Sequence, residues 1–408
     1  MSRAKDSDDG LNMLAAACLV ADGMKQNDIA EVLNISPATI VRLLKKARDG
    51  GYLLQQLFFD WDKIDEETVR SVRQRIGVSP LKERLDRLAM TSGARGPTLR
   101  VYWCSASDHQ DRMTELARHA APFVHGLLLR ESCNWVGVTW GGVLSRLATA
   151  VSELARPKRS KPIDVVPLSG ERLGRTPTAD SSSSVAQALG TAVNGRNYQA
   201  RSLAMVPAFV PDGLTRDQAE GVWRLIDLVA AHAEIFGSRG PGADPGTAIA
   251  SRLDMILTSL APAERPFGFG PGRLLETGAM TVGRLSGLVV GEMGGVCFAK
   301  PGLPAREIHE LEALNKRWTG IKRVHLDDCA RRAREGVQPR LKERFDGPPG
   351  VVVVCFGPER ARFLVEAVRL GVINHLIIDD QLEEALLEIV APELQDFPRR
   401  AQRGVRSL

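Results

Sequence analysis

From residue 99 onward the chain alternates between two patterns, and this alternation restricts the fold more than any other feature of the sequence. Short, nearly continuous apolar runs stand at 99–103, 135–139, 163–168, 199–205, 234–236, 288–291, 351–356 and 375–378. Stretches with helical apolar spacing separate most of them, at 111–127, 143–155, 183–193, 215–229, 248–260, 305–318, 359–370 and 382–390. Continuous apolar runs are the signature of strands covered on both faces, and intervening helices supply the crossovers that parallel strands require. The pattern predicts an α/β domain with a mainly parallel sheet, whose ligands collect at the carboxyl ends of the strands.

Such a domain does not account for the whole chain. At 408 residues the sequence exceeds the length at which a single core stops growing, so a second unit is expected. Hydrophobic residues at 44% and charged residues at 25% exclude a disordered or collagen-like chain. The six cysteines, Cys18, Cys104, Cys133, Cys297, Cys329 and Cys355, stand singly, which argues against a structural zinc site and for buried thiols in a reducing cytoplasm. The longer apolar runs, such as 13–21 and 351–356, are too short to span a bilayer, and the mixed charge of the first ten residues is not that of a secretory signal.

The second unit is legible between residues 11 and 52. Leu11, Leu14, Cys18 and Ala21 share one helical face, and Ile29, Val32 and Leu33 predict a second helix over 26–33. Asn34 stands where the chain must turn sharply, and asparagine tolerates the left-handed conformation that such a turn needs. Ser36 then reads as an N-cap and Pro37 as the first residue of a third helix, in which Ile40, Leu43, Leu44 and Ala47 project together. This is a helix-turn-helix, whose second helix can enter the DNA major groove. Residues 1–54 carry seven basic and seven acidic side chains, yet 36–48 holds four positive charges and no negative one. A basic stripe confined to the recognition helix is the electrostatic footprint of DNA binding. Ser36, Ala38, Thr39 and Arg42 are expected at base edges, with Lys45, Lys46 and Arg48 at phosphates and Gln26 at the DNA backbone. The same residues also suit a helical domain with a solvated basic face, or a dimerisation arm.

Several strand ends carry ligand-binding chemistry. Val136-Gly137-Val138-Thr139-Trp140-Gly141-Gly142 runs from a strand into a helix and leaves backbone N–H groups and the Thr139 hydroxyl for an anion such as phosphate. Ser169 and Gly170 end a second strand, and Glu292 lies in the Gly291 to Gly295 segment that ends a third. Arg360 follows a fourth, in the first helical turn, and can reach an anion. Asp379 closes a fifth, where it can accept from sugar hydroxyls or cap the next helix. None of the seven histidines stands at a recognisable catalytic spacing, although His109, His125 and His375 come near strand ends. No Walker-type loop, nucleophile elbow or metal-binding helix is found, and no catalytic residue, metal or cofactor is expected.

Taken in order and spacing, residues 26–48, 136–144, 165–170, 291–295 and above all 357–379 resemble the SorC family of bacterial sugar-binding transcriptional regulators. The resemblance implies a helix-turn-helix joined to an effector domain with the fold of phosphosugar isomerases and deaminases, binding a sugar or its phosphate without converting it. It also implies assembly as a tetramer or dimer on operator DNA. Where the family often has Trp-Gly-Arg-Thr, this chain has Trp140-Gly141-Gly142-Val143, and Arg360 stands where a lysine is common.

The organisation expected is a DNA-binding head over 1–54, a helical linker or oligomerisation segment over 55–97, an α/β effector domain over 98–395 and a basic tail over 396–408. The leading function is a cytoplasmic regulator of double-stranded operator DNA, controlled by a sugar, polyol or sugar phosphate. Two other readings compete with it: a sugar-phosphate enzyme carrying an N-terminal helical module, and a DNA-binding protein whose large domain only oligomerises.

Overall fold

The computed structural model describes residues 2–21, 24–50, 52, 81–91, 93–154, 161–171, 180–211, 213–238, 247–263, 280–335 and 347–395, with a few positions between 272 and 278. The apolar cluster expected over 54–61, the helical run over 66–76 and the basic tail over 396–408 lie outside the described residues.

Three helices form the N-terminal unit: α1 (Ser2–Ala21), α2 (Gln26–Leu33) and α3 (Pro37–Asp49). Asn34 ends α2 at φ 52° and is the one non-glycine residue with positive φ among those described. The Ser36 hydroxyl accepts from the Thr39 N–H at 3.2 Å, capping α3. A cap of this kind stabilises a helix by about 1 kcal/mol. Ile29, Ile40, Leu43, Leu44 and Ala47 close a core against Leu14, Cys18 and Leu19 of α1.

Among the described residues the larger unit has nine strands: β1 (Thr98–Tyr102), β2 (Trp135–Val138), β3 (Asp164–Pro167), β4 (Met255–Thr258), β5 (Leu260–Pro262), β6 (Val289–Met293), β7 (Val296–Ala299), β8 (Gly350–Val354) and β9 (His375–Asp379). Its helices, in chain order, are α4 (Leu81–Met90), α5 (His109–Leu128), α6 (Gly142–Ser152), α7 (Ser182–Asn194), α8 (Arg216–Asp227), α9 (Ala230–Phe236), α10 (Val282–Leu288), α11 (Ala305–Arg317), α12 (Arg323–Glu335), α13 (Ala361–Arg369) and α14 (Asp380–Gln395). Six strands make one parallel sheet in the order β1-β9-β8-β4-β2-β3, while β5-β6-β7 form a small antiparallel sheet. The chain builds outward from β2 to β3, returns to β4, and then builds the other way through β8 to β9. That reversal opens a crevice at the carboxyl ends of β2 and β4.

Strand β8 shows why these runs are apolar throughout. Val351 and Val353 enter one core with α12, α13 and α14, whereas Val352 and Val354 enter the other with α5, α6 and α7. Side chains alternate across a strand, so a strand covered on both faces has no polar side to offer. All six cysteines are buried, and none is in a disulfide. No helix of the described residues is long and apolar enough to cross a membrane.

Four local expectations need correction. Residues 199–205 form no strand, and 234–236 are the end of α9, where Ala230, Ala231 and Ala233 favour helix. The segment 248–260 is not a helix. It holds a 3-10 turn, Ile249–Arg252, and then central strand β4, because apolar residues at 249, 253, 256, 257 and 260 satisfy a helical stripe and a buried strand equally well. The run at 288–291 belongs to the antiparallel sheet, where Gly294 (φ 60°) and Gly295 (φ 88°) make the two-residue turn of the β6-β7 hairpin.

His375 is buried at the start of β9, its ring 5.7 Å from that of Phe123. Burial, reinforced by Arg130 and Arg100, pushes its imidazole down to about 3. The unfolded chain takes up a proton near pH 6.5 that the folded one refuses. Stability from this group is therefore complete above that pH and falls as pH drops toward 3, by roughly 1 kcal/mol per pH unit. Urea midpoints between pH 7.5 and 5 are expected to fall in wild type, with a slope about one proton smaller in His375→Asn.

Candidate functional site

Two surfaces gather most of the candidate residues. On α3, Ser36, Ala38, Arg42, Lys45, Lys46 and Arg48 are exposed and Thr39 is half-buried, while the opposite face is sealed in the core. Gln26 is exposed at the start of α2. The structure adds two features that the sequence reading did not pick out. Val41 is 55% exposed between Ala38 and Arg42, and an apolar group at that point of a recognition helix suits a thymine methyl. Asp9 of α1 binds both Arg42 (2.8 Å) and Lys46 (2.8 Å), and these hydrogen bonds hold its carboxyl below the usual range. At these exposed side chains the pairing is weak, so phosphate can displace it.

The second surface is a cleft of about 150 Å³ at the topological reversal. Thr139, Trp140, Gly141 and Gly142 reach it from the β2 end, Arg360 from the β8 end and Glu292 from β6. Gly141 (φ 132°) and Gly357 (φ 88°) hold backbone conformations that side chains rarely adopt, at the turns that bring these segments together. The Thr258 hydroxyl donates to the Ser259 carbonyl and accepts from Thr139 at 3.0 Å, which leaves the Thr139 oxygen as an acceptor. Arg360 donates through Nε to the Leu260 carbonyl at 3.1 Å and through Nη1 to the Phe356 carbonyl and Glu359; Nη2 has no partner among the described residues. Glu292, buried, accepts from the Gly295 N–H at 2.7 Å.

Side chains not expected as ligands complete the wall. His109 packs at a tilt against Phe356 with ring centres 4.7 Å apart, and Met113 lies beside Gly142, where an added Cβ would stand 2.8 Å from its sulfur. Trp140 packs on Trp318 at 5.6 Å. Helix α5 had been legible, but nothing in its sequence spacing announced that its first turn overhangs the cleft.

Three expected ligand residues lie elsewhere. Ser169 is fully buried, its carbonyl accepting from Ser182 at the start of α7, and Gly170 packs against the Val206 carbonyl so closely that no Cβ fits. Asp379 is also fully buried and structural: it binds Arg112 Nε at 2.6 Å and accepts from the Gly357 and Leu382 N–H groups. Its contact with the Leu382 N–H caps the start of α14. The same guanidinium binds Asp380 and the carbonyls of Cys104 and Ala106. Removing one partner of such a buried pair costs about 3–5 kcal/mol. Asp379→Ala is therefore expected to lower the urea midpoint of unfolding sharply, and Asp379→Asn less so.

No family model matches the chain. Among curated proteins, a deoxyribonucleoside regulator of Bacillus subtilis (strain 168) is 27% identical over 160 residues, 39% of this chain; the chain spans 43% of that relative's length. Among solved structures, a protein from Vibrio fischeri described as a sugar-binding domain of a transcriptional repressor aligns with a TM-score of 0.50 at 15% identity, over 76% of this chain and 98% of that one. The full-length sorbitol operon regulator SorC of Klebsiella pneumoniae aligns over 94% of this chain and 99% of that one, at 17% identity and a TM-score of 0.46. The chain is thus similar to SorC-type sugar-binding transcriptional regulators, and its α/β part shares the fold of their sugar-binding domains.

Proposed function

We propose that the chain is a DNA-binding transcriptional regulator whose operator affinity is set by a small carbohydrate-like ligand, phosphorylated or not, held in the cleft at the ends of β2, β4 and β8. One observation carries this reading. A recognition helix whose basic face is unused by its own core shares a chain with a cleft that keeps an arginine nitrogen, Nη2 of Arg360, without a partner among the described residues. In the cleft Arg360 and the amino end of α6 would face an anionic or electron-rich group, Glu292 and Thr139 would accept from hydroxyls, and Trp140 would cover an apolar sugar face. Gly142 and Val143, which stand where the resembled family often has arginine and threonine, remove two side-chain donors, so backbone N–H groups and Arg360 carry the anion contact here.

The cytoplasm and a homo-oligomeric state, dimer or tetramer, belong to the same proposal, since paired heads match paired half-sites. One observation keeps an enzyme reading in view: His109 and Glu292 both line the cleft, an imidazole and a carboxylate as acid–base chemistry requires. Thermal-shift titration of the full chain with sugars, polyols and their phosphates, followed by product analysis of the same mixtures, separates the two readings. A rise in melting temperature without product is expected. Turnover would establish the enzyme, and no shift with any compound would remove the ligand.

In DNA titrations Arg42→Ala is expected to weaken the operator more than unrelated duplex, by about 1–3 kcal/mol, and Lys46→Ala to weaken all duplexes alike and to lower the salt slope by about one. Asp9→Asn is expected to tighten binding to any duplex a few-fold, because it releases both cations. Arg360→Ala is expected to leave DNA affinity intact and abolish its response to ligand. Each is read by fluorescence anisotropy across a salt series.

A further inference from the structure

The end of the sheet opposite the cleft carries a second cavity, of about 430 Å³. It lies at the amino ends of three neighbouring strands, β1, β9 and β8. Arg95 reaches it from the loop between α4 and β1, Arg130 from the turn after α5, and Arg334 and Glu335 from the last turn of α12. Asn374 and His375 enter from the start of β9. The charge count is three guanidiniums against one carboxylate, 3 − 1 = +2.

The wall is built firmly enough to hold a ligand. Asn374 accepts from the Val351 N–H at 2.8 Å and donates to the Ala330 carbonyl at 3.1 Å, which ties β8, β9 and α12 together beneath the cavity. Arg334 is anchored on the Gly371 carbonyl, and Arg130 donates to the Gly347 carbonyl at 3.4 Å. Two groups remain uncommitted. Arg95 is exposed and its guanidinium has no partner among the described residues. His375, 7% exposed, forms part of the wall, and its Nδ1 is sealed with no hydrogen-bond partner. A buried polar atom without a partner is uncommon and points to a missing ligand or water. Because burial, reinforced by Arg130 and Arg100, keeps the ring neutral, it adds no further charge to the site.

We propose that this cavity binds a small phosphoryl-bearing anion at a site separate from the effector cleft. Two net positive charges match a phosphate dianion, and guanidinium forks match the geometry of phosphoryl oxygens. The volume suits a molecule of the size of a sugar phosphate or larger.

Inorganic pyrophosphate, titrated calorimetrically into the full chain, tests the assignment. Saturable binding is expected in wild type and in Arg360→Ala, weakened at least about tenfold in Arg95→Ala and abolished in Arg95→Glu. Arg95 is exposed, so neither change at that position threatens folding. Four results would overturn the proposal: no saturable binding at millimolar concentration, unchanged affinity in both Arg95 variants, binding lost in Arg360→Ala, which would place the anion in the cleft, or citrate binding more tightly than pyrophosphate, which would make the site a carboxylate site. The effector reading stands or falls separately, on the response of DNA affinity to ligand in Arg360→Ala.

Discussion

A single enclosed guanidinium, that of Arg112, organises the carboxyl end of the sheet. It holds Asp379 and Asp380 where β9 passes into α14, and it holds the Cys104 and Ala106 carbonyls just beyond β1. Asp379 in turn accepts from the N–H of Gly357, the residue that turns the chain out of β8 toward Arg360. One side chain of α5 therefore sets the relative positions of β1, β8 and β9 at the end where ligands collect. An ion pair this deep gains little net stability over an apolar replacement, because desolvation offsets the attraction. What it supplies is position, and Arg360 of the cleft depends on that position.

The cleft follows from topology as much as from chemistry. Chain reversal between β3 and β4 separates the crossovers leaving β2 and β4 and opens a gap between them. The antiparallel hairpin of β6 and β7 then folds over it, which carries Glu292 and Gly294 into the wall. Gly294 could not be another residue cheaply, since its φ is 60° and an added Cβ would stand 2.9 Å from Thr139.

Much of this was legible in the sequence. Asn34, Ser36 and Pro37 each state a local backbone preference that no tertiary contact needs to arbitrate, so the helix-turn-helix could be read almost residue by residue. Thr139, Trp140, Gly141, Gly142, Glu292 and Arg360 were singled out because strand ends are where parallel sheets expose chemistry, and they line one cleft. Ser169 and Asp379 satisfied the same rule and still proved structural, because the rule says where a residue stands and not whether its polar atoms are already spoken for. Strand β4 was hidden for another reason. Its apolar run satisfies two periods at once, and only pairing with β2 and β8 decides between them. His109, Met113 and Asp9 act across distances of sequence that no local pattern encodes.

For a ligand in the cleft to control DNA affinity, it must bind one arrangement of the protein better than another, since equal affinity shifts nothing. Moving a two-state equilibrium from 1:99 to 99:1 takes about 5.5 kcal/mol of differential affinity. A compact ligand suited to about 150 Å³ contributes at most about 1.5 kcal/mol per heavy atom, and far less as it grows, so a complete switch in one subunit would need several kcal/mol of its binding energy to be differential. The wall has the composition for that. Thr139, Phe356 and Arg360 stand just beyond strands of the parallel sheet and Glu292 and Gly294 in the hairpin, so a ligand touching both is sensitive to their separation. Where two or four such clefts bias one shared arrangement, their differential energies add, and a modest preference per site becomes sufficient.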